Sequence, residues 1–141
     1  MITVYTDGGS RGNPGIAATG IVIKKGLETI EESGAYLGVT TNNTAEYEAL
    51  IRALTWLTIH KDVALSEESP LLFKLDSQLV VEQLNGRYKI KQPHILVLVK
   101  KVHTLISSLG IPAQFLHIPR AENARADMLV NKALDEWQKR A

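Results

Sequence analysis

Three β-rich runs followed by helix and strand in alternation constrain this chain more than any other feature of its sequence. Ile2-Thr3-Val4-Tyr5-Thr6 alternates and then meets Asp7 to Gly15, a glycine-rich stretch that predicts a loop. Thr19–Lys25 and Glu28–Leu37 predict two further strands, joined by a hairpin at Lys25-Gly26. Asn43-Thr44-Ala45-Glu46 has the spacing of a helix start, and apolar periodicity carries that helix to Ile59. A polar connection from Asp62 to Pro70 leads to a strand at Leu71–Leu75, a short helix to about Leu84 and a turn at Asn85-Gly86. Pro93 opens a helix that Gly110 and Pro112 close, and a strand at Ala113–Ile118 precedes a last helix from Ala121 to about Arg140. The order βββαβααβα predicts an α/β fold, a five-stranded mixed sheet flanked by helices. Short connections leave no room for a second core, so residues 1–141 are expected to form a single domain.

Composition narrows the chemistry. There is no cysteine, which excludes disulfides, thiol catalysis and Cys-ligated metals, so any metal must be held by oxygen or histidine. The longest apolar run, Ile95 to Val99, is far too short to span a membrane, and the first residues carry no export signal. A cytoplasmic monomer that avoids membranes is the expectation. The net charge of +1 is unevenly spread: residues 1–82 carry −5 and residues 83–141 carry +6. Arg87, Lys89, Lys91, Lys100 and Lys101 fall in a stretch without one acid, which reads either as a solvated face or as a surface for a polyanion.

Four carboxylates stand out by position. Asp7 and Asp76 each follow an apolar strand, where open α/β sheets gather their ligands. Glu46 heads the apolar stripe Ala49, Leu50, Ala53 and Leu57, and Asp127 heads the stripe Val130, Leu134 and Trp137. Each has a plainer role open to it: Glu46 closing a capping box with Asn43, Asp76 capping the helix behind it, Asp127 favouring a helix dipole, Asp7 shaping a turn. Together they make an oxygen-only site, which suits Mg²⁺ or Mn²⁺, and two such ions would clamp both oxygens of a phosphoryl transfer.

The segments Tyr5 to Gly15, Thr41 to Glu46, Leu75 to Val80 and Asn123 to Asp127 resemble those of type 1 ribonuclease H, in that family's order and spacing and nearly end to end. The resemblance implies a ribonuclease H-like fold and a metal-dependent endonuclease. Such an enzyme cuts the RNA strand of RNA–DNA hybrids, leaving 5′-phosphate and 3′-hydroxyl ends. It implies that Asp7, Glu46, Asp76 and Asp127 hold two Mg²⁺ or Mn²⁺ ions, with Asp7 bridging. It also implies that Asn13, Asn42 and Gln78 reach the minor groove of the hybrid and that Thr41 meets a phosphate of the DNA strand. Double-stranded RNA is a second candidate substrate. The alternative is a non-catalytic module that binds hybrid or double-stranded RNA on the same fold. A transposase or integrase core of the same superfamily is a further rival, though the chain leaves no space for the flanking domains those usually carry.

The resemblance is to a short form of the family, since only about eight residues separate Leu84 from Pro93 and the basic protrusion of several bacterial members has no counterpart. Many members also carry an auxiliary histidine before the last acid. His117 has that spacing but reads as a strand residue, so Arg120, at the edge of the site in a shortened loop, is the favoured auxiliary group. Trp56 and Trp137 fall on helix stripes and are expected in the core.

Overall fold

The computed structural model describes residues 1–65 and 69–140. β1 (Ile2–Gly12), β2 (Gly15–Lys25) and β3 (Glu28–Thr40) form an antiparallel meander. After α1 (Asn42–Ile59) and the short α2 (Lys61–Leu65), β4 (Leu71–Leu75) returns parallel to β1. α3 (Gln78–Leu84) and α4 (Pro93–Leu109) lead to β5 (Ala113–His117), which lies parallel to β4; one turn of 3-10 helix (Arg120–Asn123) then enters α5 (Ala124–Arg140). The sheet order is β3-β2-β1-β4-β5, so β1 sits at the centre and is the one strand with an antiparallel neighbour on one side and a parallel neighbour on the other. This is the five-stranded mixed sheet expected from the pattern. No helix among the described residues is long and apolar enough to cross a membrane.

Several boundaries differ from expectation. β1 does not stop at Thr6 but runs through Asp7 to Gly12, because β2 starts at Gly15 and pairs with it residue by residue to the Gly12–Gly15 turn. Ladder hydrogen bonds satisfy the backbone of a stretch whose composition alone signals a loop. β3 likewise continues to Thr40. The cap of α1 is Thr41, whose Oγ1 accepts from the Thr44 amide at 3.3 Å, so Asn43 does not cap and Glu46 closes no capping box. The connection expected from Asp62 begins inside α2, and its residues 66–68 lie outside the described part of the chain.

The strand period of two sorts β1 between two layers. Ile2 and Val4 face α1 and join the larger core with Ile23, Leu50, Leu54, Phe73, Leu75, Ile95 and Val102. Tyr5 faces the other side, where Val22, Ala126 and Leu129 pack, and Ala18, Val130 and Leu134 form a neighbouring cluster. α5 presses on the sheet at two glycines: a Cβ on Gly20 would lie 2.1 Å from the carbonyl oxygen of Ala126, and one on Gly34 would lie 2.4 Å from that of Leu129. Trp56 packs against the core as expected and stacks on His60. Trp137 does not follow, since it is 40% exposed and stacks face to face on Tyr36 with centroids 4.0 Å apart. It lies near the end of α5 beside edge strand β3, where the sheet covers only one face of its ring.

Replacing Gly20 by Ala drives a methyl group into the α5 backbone and is expected to cost about 1–3 kcal/mol, the usual penalty for overpacking. Thermal melting checks this, and an unchanged Tm would show that α5 does not sit so close to β2.

Candidate active site

The middle of β1 lies beside the carboxyl end of β4, and residues from both faces of the sheet are brought there by the first turns of helices. Asp7 is in β1 and buried. Asp76 directly follows β4, and Ser77 rather than Asp76 caps α3, its Oγ accepting from the Val80 amide at 3.3 Å. The carboxylate of Asp76 is therefore not engaged at that cap. Glu46 comes from the first turns of α1, buried to 7% exposure, and reaches across to β1, where its Oε1 accepts from the Gly8 amide at 2.8 Å. That contact requires glycine, because a Cβ at position 8 would lie 2.2 Å from the Ala45 carbonyl carbon. Asp127 stands in the first turn of α5, on the opposite wall. The four line one crevice of about 430 Å³ together with Ser10, Arg11, Asn42, Asn43, Ser77 and Arg120, among others.

Asp7, Glu46 and Asp76 each offer one oxygen within 4.8 Å of the others. Such a cluster is electrostatically costly. Burial pushes Asp7 up to about 7, with the charges of Asp76 and Asp127 adding to it against a lowering contact with Glu46. Burial, and then the charge of Asp7, hold Glu46 well above the usual carboxylate range. The second oxygen of Glu46, Oε2, is buried and has no hydrogen-bond donor. A buried carboxylate with an unpartnered oxygen, clustered with two more carboxylates, is what a hard divalent cation satisfies, so the donor set fits Mg²⁺ or Mn²⁺.

The residues expected to meet substrate divide into two groups. Asn13 and Asn42 are linked, the Asn13 Oδ1 accepting from the Asn42 amide at 3.0 Å, while the Asn42 side chain accepts from both the amide and the hydroxyl of Ser10. The β1–β2 hairpin and the start of α1 are thus tied together at the rim, with Asn42 in the crevice lining. Thr41 is engaged as the α1 cap, and Gln78 is exposed at the start of α3, outside the lining. Arg120 lies in the lining, with its Nη2 3.4 Å from Asp127 Oδ1 and its side chain 78% exposed. His117 is exposed at the end of β5, in register with Leu75, and is not in the lining.

Sequence reasoning missed Ser10, which anchors Asn42, and Arg11, which donates to Asp135 at 2.7 Å and also bonds Gln138 and so ties β1 to α5. It also gave no role to Asn123. This residue is buried to 1% exposure, and its Nδ2 donates 2.9 Å to the carbonyl of Thr6, joining the entry to α5 to the residue before Asp7. A polar residue just ahead of an apolar helix stripe was the available signal.

A mixed sheet with this strand order and an acidic crevice where the middle of β1 meets the carboxyl end of β4 defines a ribonuclease H-like fold, and comparison with solved structures agrees. LC11-RNase H1, isolated from compost by a metagenomic approach, superposes with a TM-score of 0.90 at 46% identity, covering 97% of each chain. The same protein has been solved in complex with RNA/DNA hybrid. The chain belongs to the RNase H family, whose model matches residues 1–135. Ribonuclease HI of Halobacterium salinarum is 39% identical over 136 residues, 96% of this chain and 65% of that protein. A bifunctional protein of Mycobacterium tuberculosis is 38% identical over 136 residues. The chain spans only 35% of that mycobacterial relative's length.

The raised Asp7 sets a pH dependence. Between its ordinary value of 3.8 and about 7, the folded metal-free protein binds more protons than the unfolded chain, so its stability falls as pH rises through that window. Asp7→Asn removes one of the crowded charges. Without metal the variant is expected to melt several degrees above wild type at pH 7.5, and its stability should vary less between pH 4 and 7. Melting curves across that range check it; a variant less stable than wild type at pH 7.5 would mean that the carboxylates do not repel one another.

Proposed function

We propose that this protein is a divalent-metal-dependent endonuclease that hydrolyses the RNA strand of RNA–DNA hybrids, leaving 5′-phosphate and 3′-hydroxyl ends. The observation that carries the proposal is the buried Glu46 carboxylate, held by one oxygen on the Gly8 amide with its other oxygen buried and unpartnered, in a cluster with the carboxylates of Asp7 and Asp76. A protein that only bound nucleic acid would gain nothing from such a group beside phosphate, since negative charge opposes polyanion binding. Family membership and the hybrid complex of LC11-RNase H1 support a hybrid as the substrate.

Asp7, Glu46, Asp76 and Asp127 would hold two Mg²⁺ or Mn²⁺ ions, with Asp7 between them. When bound, such ions lower the pKa of an attacking water and neutralise charge on the leaving 3′ oxygen. The remaining work belongs to the chain. Gly8 fixes the direction of Glu46, and Ser77 takes over the helix cap beside Asp76. Asn13 and Asn42, short amides that donate and accept without adding charge, suit 2′-hydroxyls displayed in a minor groove. Thr41 and Gln78 stand at the outer rim, for a DNA phosphate and the minor groove respectively. Arg120 is held only by a loose, solvent-exposed pair with Asp127, which is worth little, so its guanidinium is available to an anionic phosphate at every working pH.

Labelled hybrid, double-stranded RNA and double-stranded DNA are compared under Mg²⁺ and Mn²⁺. Cleavage of the hybrid is expected, with a loss on the order of 100-fold or more when any of the four carboxylates is replaced by its amide. Binding without cleavage under both metals would leave the non-catalytic module instead.

Arg120→Ala is expected to lower turnover on the order of 10–100-fold with little change in KM, and the wild-type rate should show no inflection near the imidazole pKa of ~6.5. Turnover of Arg120→Ala and His117→Ala between about pH 5.5 and 9 decides between the two side chains. A larger loss for His117→Ala would reassign the auxiliary role.

A further inference from the structure

The face of the sheet that carries Asp7 and Asp76 is only partly covered. α5 packs over β1, β2 and β3, and on the β5 side of the sheet Gln114 and Leu116 are exposed. Strand alternation puts Tyr5 on this face, two residues and roughly 7 Å before Asp7, and Lys74 likewise two residues before Asp76. Tyr5 pairs with Lys74 in β4, and Lys24 of β2 pairs with Thr3. The ammonium groups of Lys24 and Lys74 lie 5.8 Å and 5.6 Å from the centroid of the Tyr5 ring. Among the described residues neither lysine forms an ion pair, whereas the nearby Arg125 is engaged by Glu32. A cavity of about 370 Å³ opens beside the ring, lined by Tyr5, Lys24, Arg125 and Glu122 among others.

Two like charges drawn to one ring repel each other unless an anion lies between or beside them. A half-buried aromatic ring flanked by unpaired lysines is also the arrangement that holds a single nucleic-acid strand, with a base on the ring and phosphates on the cations. Its position, one short step along the same strands from the carboxylates, sets which strand it meets: the one whose phosphate sits at Asp7 and Asp76.

We propose that Tyr5, Lys24 and Lys74 form a secondary site for single-stranded RNA, gripping the cleaved strand where it extends beyond the hybrid. The proposal rests on the hydrolytic reading above. It makes the junction between hybrid and single-stranded RNA a preferred place of action.

Four substrates sharing one hybrid segment test it: blunt, with a single-stranded RNA extension at the 5′ end of the RNA strand, with one at its 3′ end, and with a DNA extension of equal length on the DNA strand. Wild type is expected to show a KM several-fold lower for one RNA-extended form than for the blunt hybrid. Lys24→Gln with Lys74→Gln keeps the methylene stems, removes both charges, and should raise that KM to the blunt value. The double variant should also reduce the log-log salt slope of binding by up to about 1.4, at ~0.7 per single-strand phosphate contact. Blunt-hybrid cleavage, which uses neither lysine, should stay unchanged and so reports folding. Equal KM for blunt and RNA-extended substrates in wild type would overturn the proposal. So would a preference confined to the DNA extension, or one that survives the double variant. Failure of wild type to cut any hybrid would instead overturn the hydrolytic reading, and binding of the extended and blunt forms by anisotropy would still test the lysines.

Discussion

The close approach of α1 to β1 at Gly8 is the contact on which the site depends. It lets a carboxylate from a helix on one side of the sheet reach the side where Asp7 and Asp76 stand. Without it, Glu46 would remain on the α1 side. The hydrogen bond from the Gly8 amide offsets part of the cost of burying that charge, and it uses only one oxygen. The rest of the cost persists as the elevated proton affinity of Glu46 and Asp7. The metal-free crevice therefore carries an electrostatic cost that a bound cation would relieve. The glycines at positions 20 and 34 serve the opposite wall in the same way, admitting the α5 backbone and with it Asp127.

Much of this was legible in the sequence, for identifiable reasons. Strand and helix periods placed Glu46 and Asp127 at the heads of buried stripes, and the turn from apolar strand to acid marked Asp7 and Asp76. The element order and the mixed sheet followed from three β-rich runs ahead of alternating elements. What stayed hidden was what depends on contacts between distant residues. The stretch from Asp7 to Gly12 looks like a loop locally and is a strand because β2 pairs with it. Thr41 and Asn43 are both good caps by composition, and which one serves is decided by where the β3 strand ends. The exposure of Trp137 depends on how far α5 overruns the sheet, which periodicity along one helix does not report.

The rim and the floor of the site are built differently. The floor is rigid, formed by central strands and buried carboxylates. The rim relies on exposed polar links: Asn13 to Asn42, Asn42 to Ser10, Arg120 to Asp127. Exposed pairs of this kind exchange readily with other partners. The rim contacts can therefore be exchanged for polar groups of a ligand at little cost.

The link from Asn123 to Thr6 spans 117 positions in the chain. Asp7 lies in β1 and Asp127 in α5, with β2, β3, β4 and β5 between them in chain order, so the meander, β4 and β5 can all pair before the fourth carboxylate is in place. Closing so long a loop is slow relative to local structure. The order of the elements along the chain therefore leaves the acidic set incomplete until α5 docks on the sheet.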